Sequence, residues 1–307
     1  MKNLYKYMPF RTSFFDDPLL RLTPPFELND PFDSKPSQAA IDKKMEFFFD
    51  RGNDFEESDT NSIDIRSTYE DDLRTGLNNF GIISLSEDPS NLLMWSHYAE
   101  EHKGMVVSIS CDYSTFEYHS LFTESCKLSK KEPVKVIYSN IRPGYEMPED
   151  TIYEYFEENF HSHFATIKGD SWFYEKEYRY LLRLLEADSA IVDVQSSLEN
   201  IQNPDIRLTH LDGNTYKIDA SSAEKRNLLP WFLALAQGRR DISNVKFFKR
   251  LTKKSIQGFY FGSRVSEESI IEARHKIENN PLFGDSINFY RSIESPNFFQ
   301  INFEQIA

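Results

Sequence analysis

Trp172-Phe173-Tyr174-Glu175-Lys176-Glu177-Tyr178-Arg179-Tyr180 packs five aromatic and four charged residues into nine positions. Read as an extended strand, its side chains alternate between two faces. Glu175, Glu177 and Arg179 then share one face. Tyr174, Tyr178 and Tyr180 share the other, with Lys176 among them. Two carboxylates two residues apart beside a guanidinium set each other's charge states and can orient a polar ligand. The same residues also read as a half-buried strand with a self-neutralising, solvated face, or as a helix with a Glu175–Arg179 pair at i,i+4. Whether this stretch is strand or helix decides what the rest of the chain is arranged around.

A chain of 307 residues suffices for one large domain or two ordinary ones. Apolar content is 39%, but 15% of residues are aromatic, and 26 phenylalanines can fill a substantial core. The net charge of −14 argues against general affinity for nucleic acid or anionic membrane, while leaving room for a local basic patch. The two cysteines, Cys111 and Cys126, make neither a disulfide framework nor a four-cysteine zinc site, and fit a reducing cytoplasm. The N-terminus lacks the apolar run of a signal peptide. No stretch approaches the roughly 18 uninterrupted apolar residues of a membrane span.

Leu4 to Phe10 reads as a first strand, with Tyr5 and Tyr7 on one face and Lys6 on the other. Leu28-Asn29-Asp30-Pro31-Phe32-Asp33 is a turn, which either stays structural or presents Asn29, Asp30 and Asp33 to a pocket. Residues 34–72 hold a helix-like run, Ala39 to Asp50, then an acidic Ser/Asn-rich stretch; this is the expected insertion or mobile segment. Gly81 to Ser86 is a strand with Ser84 and Ser86 on one face. Asp88-Pro89 opens a helix carrying Trp95, His97 and Tyr98, which pack or line a pocket. His97 and His102 lack the four-residue spacing of two metal ligands on one helical face, and no metal is expected. Glu149 to Ile167 has helical periodicity. A helix follows Ser221 or Ser222. Arg239 to Lys254 concentrates seven basic residues against Asp241. It can grip a phosphate-bearing acceptor or pair with the acidic regions. Ile256 to Gly262 is a strand, and residues 265–307 give a Ser266-capped helix and closing strands.

Glycine is sparse, and no phosphate loop, dinucleotide fingerprint or nucleophile elbow is present. Strand and helix signals intermix without regular alternation. The expected fold is α+β: a mixed or antiparallel central sheet flanked by helices, in a single large domain with an acidic insertion.

In order along the chain, Leu4-Tyr5-Lys6-Tyr7, Asn29-Asp30-Pro31-Phe32-Asp33, Ser84-Leu85-Ser86-Glu87, Met94-Trp95-Ser96-His97-Tyr98-Ala99, His102-Lys103-Gly104, Lys168, Trp172, Tyr174-Glu175, Glu177, Arg179 and Gly258-Phe259-Tyr260-Phe261-Gly262 resemble the bacterial family catalogued as domain of unknown function 2971. The resemblance spans about residues 4 to 262. It implies a soluble bacterial protein of a kind sometimes found among defence or mobile-element genes.

A second resemblance is to enzymes that transfer ADP-ribose from NAD. These carry Arg or His on a first strand, Ser-x-Ser or an aromatic on a second, and Glu, often Glu-x-Glu, on a third. This chain offers Tyr5-Lys6-Tyr7 or Arg11, then Ser84-Leu85-Ser86, then Glu175-Lys176-Glu177. It departs at the first element, where no Arg or His lies in the strand. The resemblance implies NAD as substrate, with Glu177 on the ribose and the developing cation and Glu175 on an acceptor. Lys6, Tyr7, Ser84, Ser86, Trp95 and Tyr98 would surround the ligand. Asn29, Asp30, Asp33, His97 and Arg179 are further pocket candidates.

Three functions follow. One is an NAD-consuming transferase or glycohydrolase acting as a toxin or defence effector. A second is a non-catalytic module that recognises a ligand or partner. The third is a nucleic-acid-processing protein using Arg239–Lys254 and a divalent ion held by Asp30 and Asp33.

Overall fold

The computed structural model describes residues 2–50, 62–118, 131–142, 144, 161, 163–194, 208–219 and 242–306. Its first part runs β1 (Lys2–Met8), α1 (Thr12–Asp16), β2 (Leu19–Leu22), α2 (Gln38–Asp50), α3 (Ser62–Thr75), β3 (Phe80–Ser86), α4 (Leu92–Tyr98) and β4 (Met105–Cys111). There follow β5 (Val134–Lys135), β6 (Ile137–Ser139), β7 (Ile167–Gly169), β8 (Glu177–Arg183), β9 (Ser189–Val194), β10 (Leu208–Asp212) and β11 (Thr215–Asp219). The chain closes with β12 (Ile242–Arg250), β13 (Ile256–Phe261), α5 (Glu267–Glu278), β14 (Asn288–Glu294) and β15 (Ile301–Gln305).

Among the described residues these strands form an eight-stranded sheet, β15-β14-β13-β4-β1-β3-β8-β5, and a five-stranded sheet, β10-β11-β9-β12-β2, with β6 and β7 as a separate pair. Pairing is antiparallel except for β13–β14 and β6–β7. The architecture is therefore α+β in a single domain, with an antiparallel-dominated central sheet flanked by helices. β4 reads Met-Val-Val-Ser-Ile-Ser-Cys and is buried at every position, as a strand covered on both faces must be.

Residues directly opposite in an antiparallel pair share a face. Ile82 faces Leu181, Ser84 faces Arg179, and Ser86 faces Glu177. One face of β3–β8 thus grades from apolar to charged along its length. Its apolar end packs Phe80, Ile82 and Leu181 against Ala40, Ile41 and Met45 of α2, Leu73 of α3 and Leu77 just after it. Each buried Ile, Leu, Met or Phe side chain among them contributes about 1.5–3 kcal/mol. The opposite face, with Ile83, Leu85, Tyr180 and Leu182, joins the main core. The charged end is left for the site. There β1 and β3 pair at one position, Tyr5 with Ser86, and then part, with the Lys6 ammonium donating across the gap to the Ser84 carbonyl at 2.9 Å.

Several sequence expectations are corrected. The Trp172–Tyr180 stretch is not strand throughout: Asp170–Glu175 is a 3-10 turn, and the strand begins at Glu177. The helix after β3 starts at Leu92, with Asn91 rather than Asp88 as its N-cap, accepting from the Leu93 and Met94 N–H groups. Most of the described part of the basic run is strand: residues 242–250 are β12, and a turn follows at 253–254. On it Lys249 is fully buried, donating to the Glu186 carbonyl and to Asp188, while Arg250 pairs with Asp17. Those two charges are intramolecular partners. In the 34–72 segment, α2 and α3 contribute to the core, while residues 51–61 lie outside the described residues. So do Arg239 to Asp241, the helix after Ser221 and most of the 149–167 run. Ser266 caps α5 as its sequence implied, accepting from Ser269 N–H.

Candidate functional site

Lys176 decides the local geometry. It lies in the left-handed region at φ +46°, a conformation that costs a non-glycine residue about 1–2 kcal/mol. Its N–H donates to Phe173 O and its carbonyl accepts Glu87 N–H, while its ammonium pairs with Asp88 at 3.0 Å. The 3-10 turn ends there and β8 begins. Glu175 therefore reaches the site from a turn and Glu177 from a strand, and the Lys168 ammonium contacts both, at 2.5 Å and 3.4 Å.

Arg179 organises the rest. It is fully buried and offers five N–H donors. Nε and Nη2 clamp Glu177 at 2.8 and 2.9 Å. Nη1 and Nη2 clamp Asp33 at 2.8 and 2.6 Å, and Nη1 also reaches Ser34 Oγ and Ala165 O. Asp33 comes from the Asn-Asp-Pro turn, 146 residues away. Tyr98 on α4 donates to Glu175 at 2.6 Å and accepts from Asn29 Nδ2 at 3.0 Å.

Together these groups line a cleft of about 320 Å³ in which Lys6, Ser84, Glu175, Glu177, Arg179 and Lys168 meet. That lies at the small end of the roughly 300–1,000 Å³ typical of ligand pockets. The two carboxylates are driven apart. Burial pushes Glu177 up, but Arg179, Lys168 and a hydrogen bond from the Ser84 hydroxyl outweigh it and hold the carboxyl at about 2. Burial also raises Glu175; the neighbouring Glu177 charge adds to this, and Lys168 and Tyr98 do not cancel it. Lys6 is brought down to about 8 by burial, with Glu177 and Glu175 acting in the opposite sense. A permanently ionised carboxylate beside one that titrates closer to neutrality is the arrangement from which acid and base roles are divided.

Of the residues singled out in the sequence, Lys6, Tyr7, Asn29, Asp33, Ser84, Ser86, Tyr98, Glu175, Glu177 and Arg179 line this cleft. Ser86 does so with its hydroxyl donating to Glu175 O at 2.7 Å. Trp95 does not: it is fully buried between Tyr7 and His102, with its indole N–H on Pro89 O. His97 is exposed outside the cleft, and Asp30 faces a neighbouring one. Asp30 and Asp33 are not an open metal pair, since Asp30 Oδ1 accepts Phe32 N–H and Asp33 is clamped by Arg179. Among the described residues no group of three His, Cys, Asp or Glu side chains is arranged to hold a metal ion.

The sequence reading gave no site role to Lys168, Arg21 or Glu27. Lys168 directly follows the helical periodicity of Glu149 to Ile167, and nothing in the Pro24-Pro25 neighbourhood marks the Arg21–Glu27 ion pair as part of a pocket wall. The Tyr98 hydrogen bond gives a direct check. A hydrogen bond to a charged group contributes about 1.5–3 kcal/mol, and one pKa unit corresponds to about 1.4 kcal/mol. Tyr98→Phe is expected to raise the Glu175 pKa further, because the hydroxyl that favours the ionised form is gone, as read by NMR titration of the Glu175 side-chain carboxyl. An unchanged titration would mean the hydroxyl does not stabilise the ionised form.

Among the described residues, no helix is long and apolar enough to cross a membrane. Comparison with curated proteins and with solved structures finds no match, so an ADP-ribose-transferring relative is not among the similarities found. Residues 94–180, from α4 into β8, match the family model described as a protein of unknown function, DUF2971. This span is narrower than the stretch 4–262 expected from the motifs, yet it holds Tyr98, Lys168, Glu175, Glu177 and Arg179, and over it the chain is similar to that family.

Proposed function

We infer that the cleft binds NAD as a substrate and cleaves its nicotinamide–ribose bond, passing ADP-ribose to an acceptor or to water. The observation that carries this reading is the pair of carboxylates in one cleft with opposite titration, Glu177 held ionised and Glu175 raised. The C1′–N bond breaks with its electron pair going to the ring nitrogen, which discharges the pyridinium. Positive charge builds at C1′, where a fixed carboxylate is most effective. Glu177 fills that role, braced by Ser84. The acceptor's lone pair closes on C1′ and its proton passes to Glu175, which burial and the Glu177 charge make a stronger base than an ordinary glutamate. Tyr5, Tyr7 and Tyr98 supply aromatic walls for the nicotinamide ring.

The experiment is direct. Incubation with NAD is expected to release nicotinamide, followed by chromatography, and expression in bacteria is expected to lower cellular NAD, as for a toxin or defence effector. Absence of both effects rejects the reading. One observation favours the alternative of a non-catalytic recognition pocket: both Glu177 oxygens already accept hydrogen bonds from Arg179. On that alternative Glu177→Gln leaves every cellular phenotype intact.

A further inference from the structure

A second cleft, of about 490 Å³, lies against the first, and the Asp33 and Lys168 side chains line both. It is built from the same two chain segments: the turn that delivers Asp33 contributes Phe32, and the turn that delivers Glu175 contributes Trp172. Phe32 is 63% exposed and lines this cleft, so its ring is accessible to a ligand there. Each aromatic is paired with a cation. The Lys168 ammonium lies 4.8 Å from the Trp172 ring centroid, and the Arg142 guanidinium lies 5.4 Å from that of Phe32.

The charges at the rim are also available. Arg142 donates to the Lys35 and Pro36 carbonyls, and Lys35 donates to the Pro31 carbonyl, so among the described residues neither charge is paired with a carboxylate. On the acidic side, Asp33 is neutralised by Arg179 and Asp30 caps its own turn; Asp170 is solvated at the edge. Aromatic faces interleaved with cations are what a nucleobase and its phosphate require.

Size bears on the same point. A dinucleotide needs more room than a cleft at the lower limit of the pocket range offers, so the first cleft accommodates the nicotinamide–ribose end and leaves the other half to be placed. We propose that the second cleft is the adenosine-phosphate subsite, stacking the adenine on Trp172 and Phe32 and holding phosphate oxygens with Arg142 and Lys35. The identity of the dinucleotide as NAD rests on the function inferred above; the recognition of a mononucleotide does not.

AMP is the probe, titrated into the full chain by calorimetry. It is expected to bind wild type and Glu177→Gln alike. Trp172→Ala is expected to weaken it by about tenfold or more, the loss typical of one stacked base. Trp172→Phe should retain most of the affinity, and Arg142→Ala, at an exposed position, should weaken it and flatten its salt dependence, with circular dichroism confirming that the variant is folded. Ribose 5-phosphate, lacking the base, should bind at least tenfold more weakly than AMP. No AMP binding, or binding indifferent to both alanine variants, overturns the proposal. So does equal binding of ribose 5-phosphate, or a single-stranded oligonucleotide that binds the same residues and is not displaced by AMP. Intact AMP binding with no nicotinamide release rejects the NAD chemistry alone; nicotinamide release without the AMP pattern rejects the subsite alone.

Discussion

Arg179→Met is expected to cost about 3–5 kcal/mol of stability, the penalty for leaving buried charges without their partner. The reason is specific. Arg179 is the only group that clamps both Asp33 and Glu177 through two hydrogen bonds each among the described contacts. Its loss leaves two buried carboxylates sharing Lys168, which already contacts Glu175. Denaturation monitored by circular dichroism should show the shift. A loss below about 1 kcal/mol would mean that water or rearrangement replaces the guanidinium at little cost. The companion variant is Asp33→Leu, Glu177→Leu and Arg179→Met together, which removes the ions instead of orphaning them. Replacing a buried ion group by apolar residues is often neutral or stabilising. Stability is expected to recover toward wild type in this variant. The cluster then owes its presence to what it does rather than to the stability it adds. Acid has a predictable effect too. Glu177 in the folded chain titrates at about 2, below its ordinary range near 4.3, so between those values the unfolded chain binds more protons. Its contribution to stability is complete above about pH 4.3 and is lost as pH falls toward 2.

Part of this arrangement is legible in the sequence, and part depends on distances no sequence displays. Strand alternation places Glu177 and Arg179 on one face, and they do share it, because that pairing is local. The same alternation places Glu175 there by the wrong route, since no residue type announces that Lys176 takes a left-handed conformation. Ser84 and Ser86 share a face by alternation; their lying opposite Arg179 and Glu177 is a matter of antiparallel register, set by pairing between segments some 90 residues apart. Asp33 is one of two acids in its turn, and only the fold selects it over Asp30. Trp95 illustrates the opposite failure. An aromatic on a short helix near a pocket suggests stacking on a ligand, yet Tyr7 and His102 cover both sides of it. In β12 the Val245–Phe247 alternation was the signal of a strand, hidden by Lys249, whose burial depends on Asp188 and the Glu186 carbonyl.

The two glutamates should separate kinetically. Glu177→Gln keeps size and hydrogen bonding but removes the charge that meets the developing cation, and is expected to slow nicotinamide release by about a hundredfold to a thousandfold, the loss typical of one preorganised electrostatic group. Glu175→Gln leaves that charge in place and removes the proton acceptor, an effect of about a hundredfold or more that falls on the step joining the acceptor. The pH profile tells them apart. In wild type the rate should rise with pH through the raised Glu175 pKa, because the base acts only when ionised. Glu177, titrating at about 2, stays charged across the working range and contributes no such limb. The rising limb should therefore persist in Glu177→Gln, at reduced height and moved to lower pH because the Glu177 charge no longer raises Glu175, and vanish in Glu175→Gln. If the limb survives in Glu175→Gln, another group takes the proton. Lys6, lowered to about 8 in the same cleft, is the one to replace next. If neither variant differs from wild type while Arg179→Met still unfolds readily, the carboxylates serve the architecture of a binding pocket and the chemistry assigned to them falls.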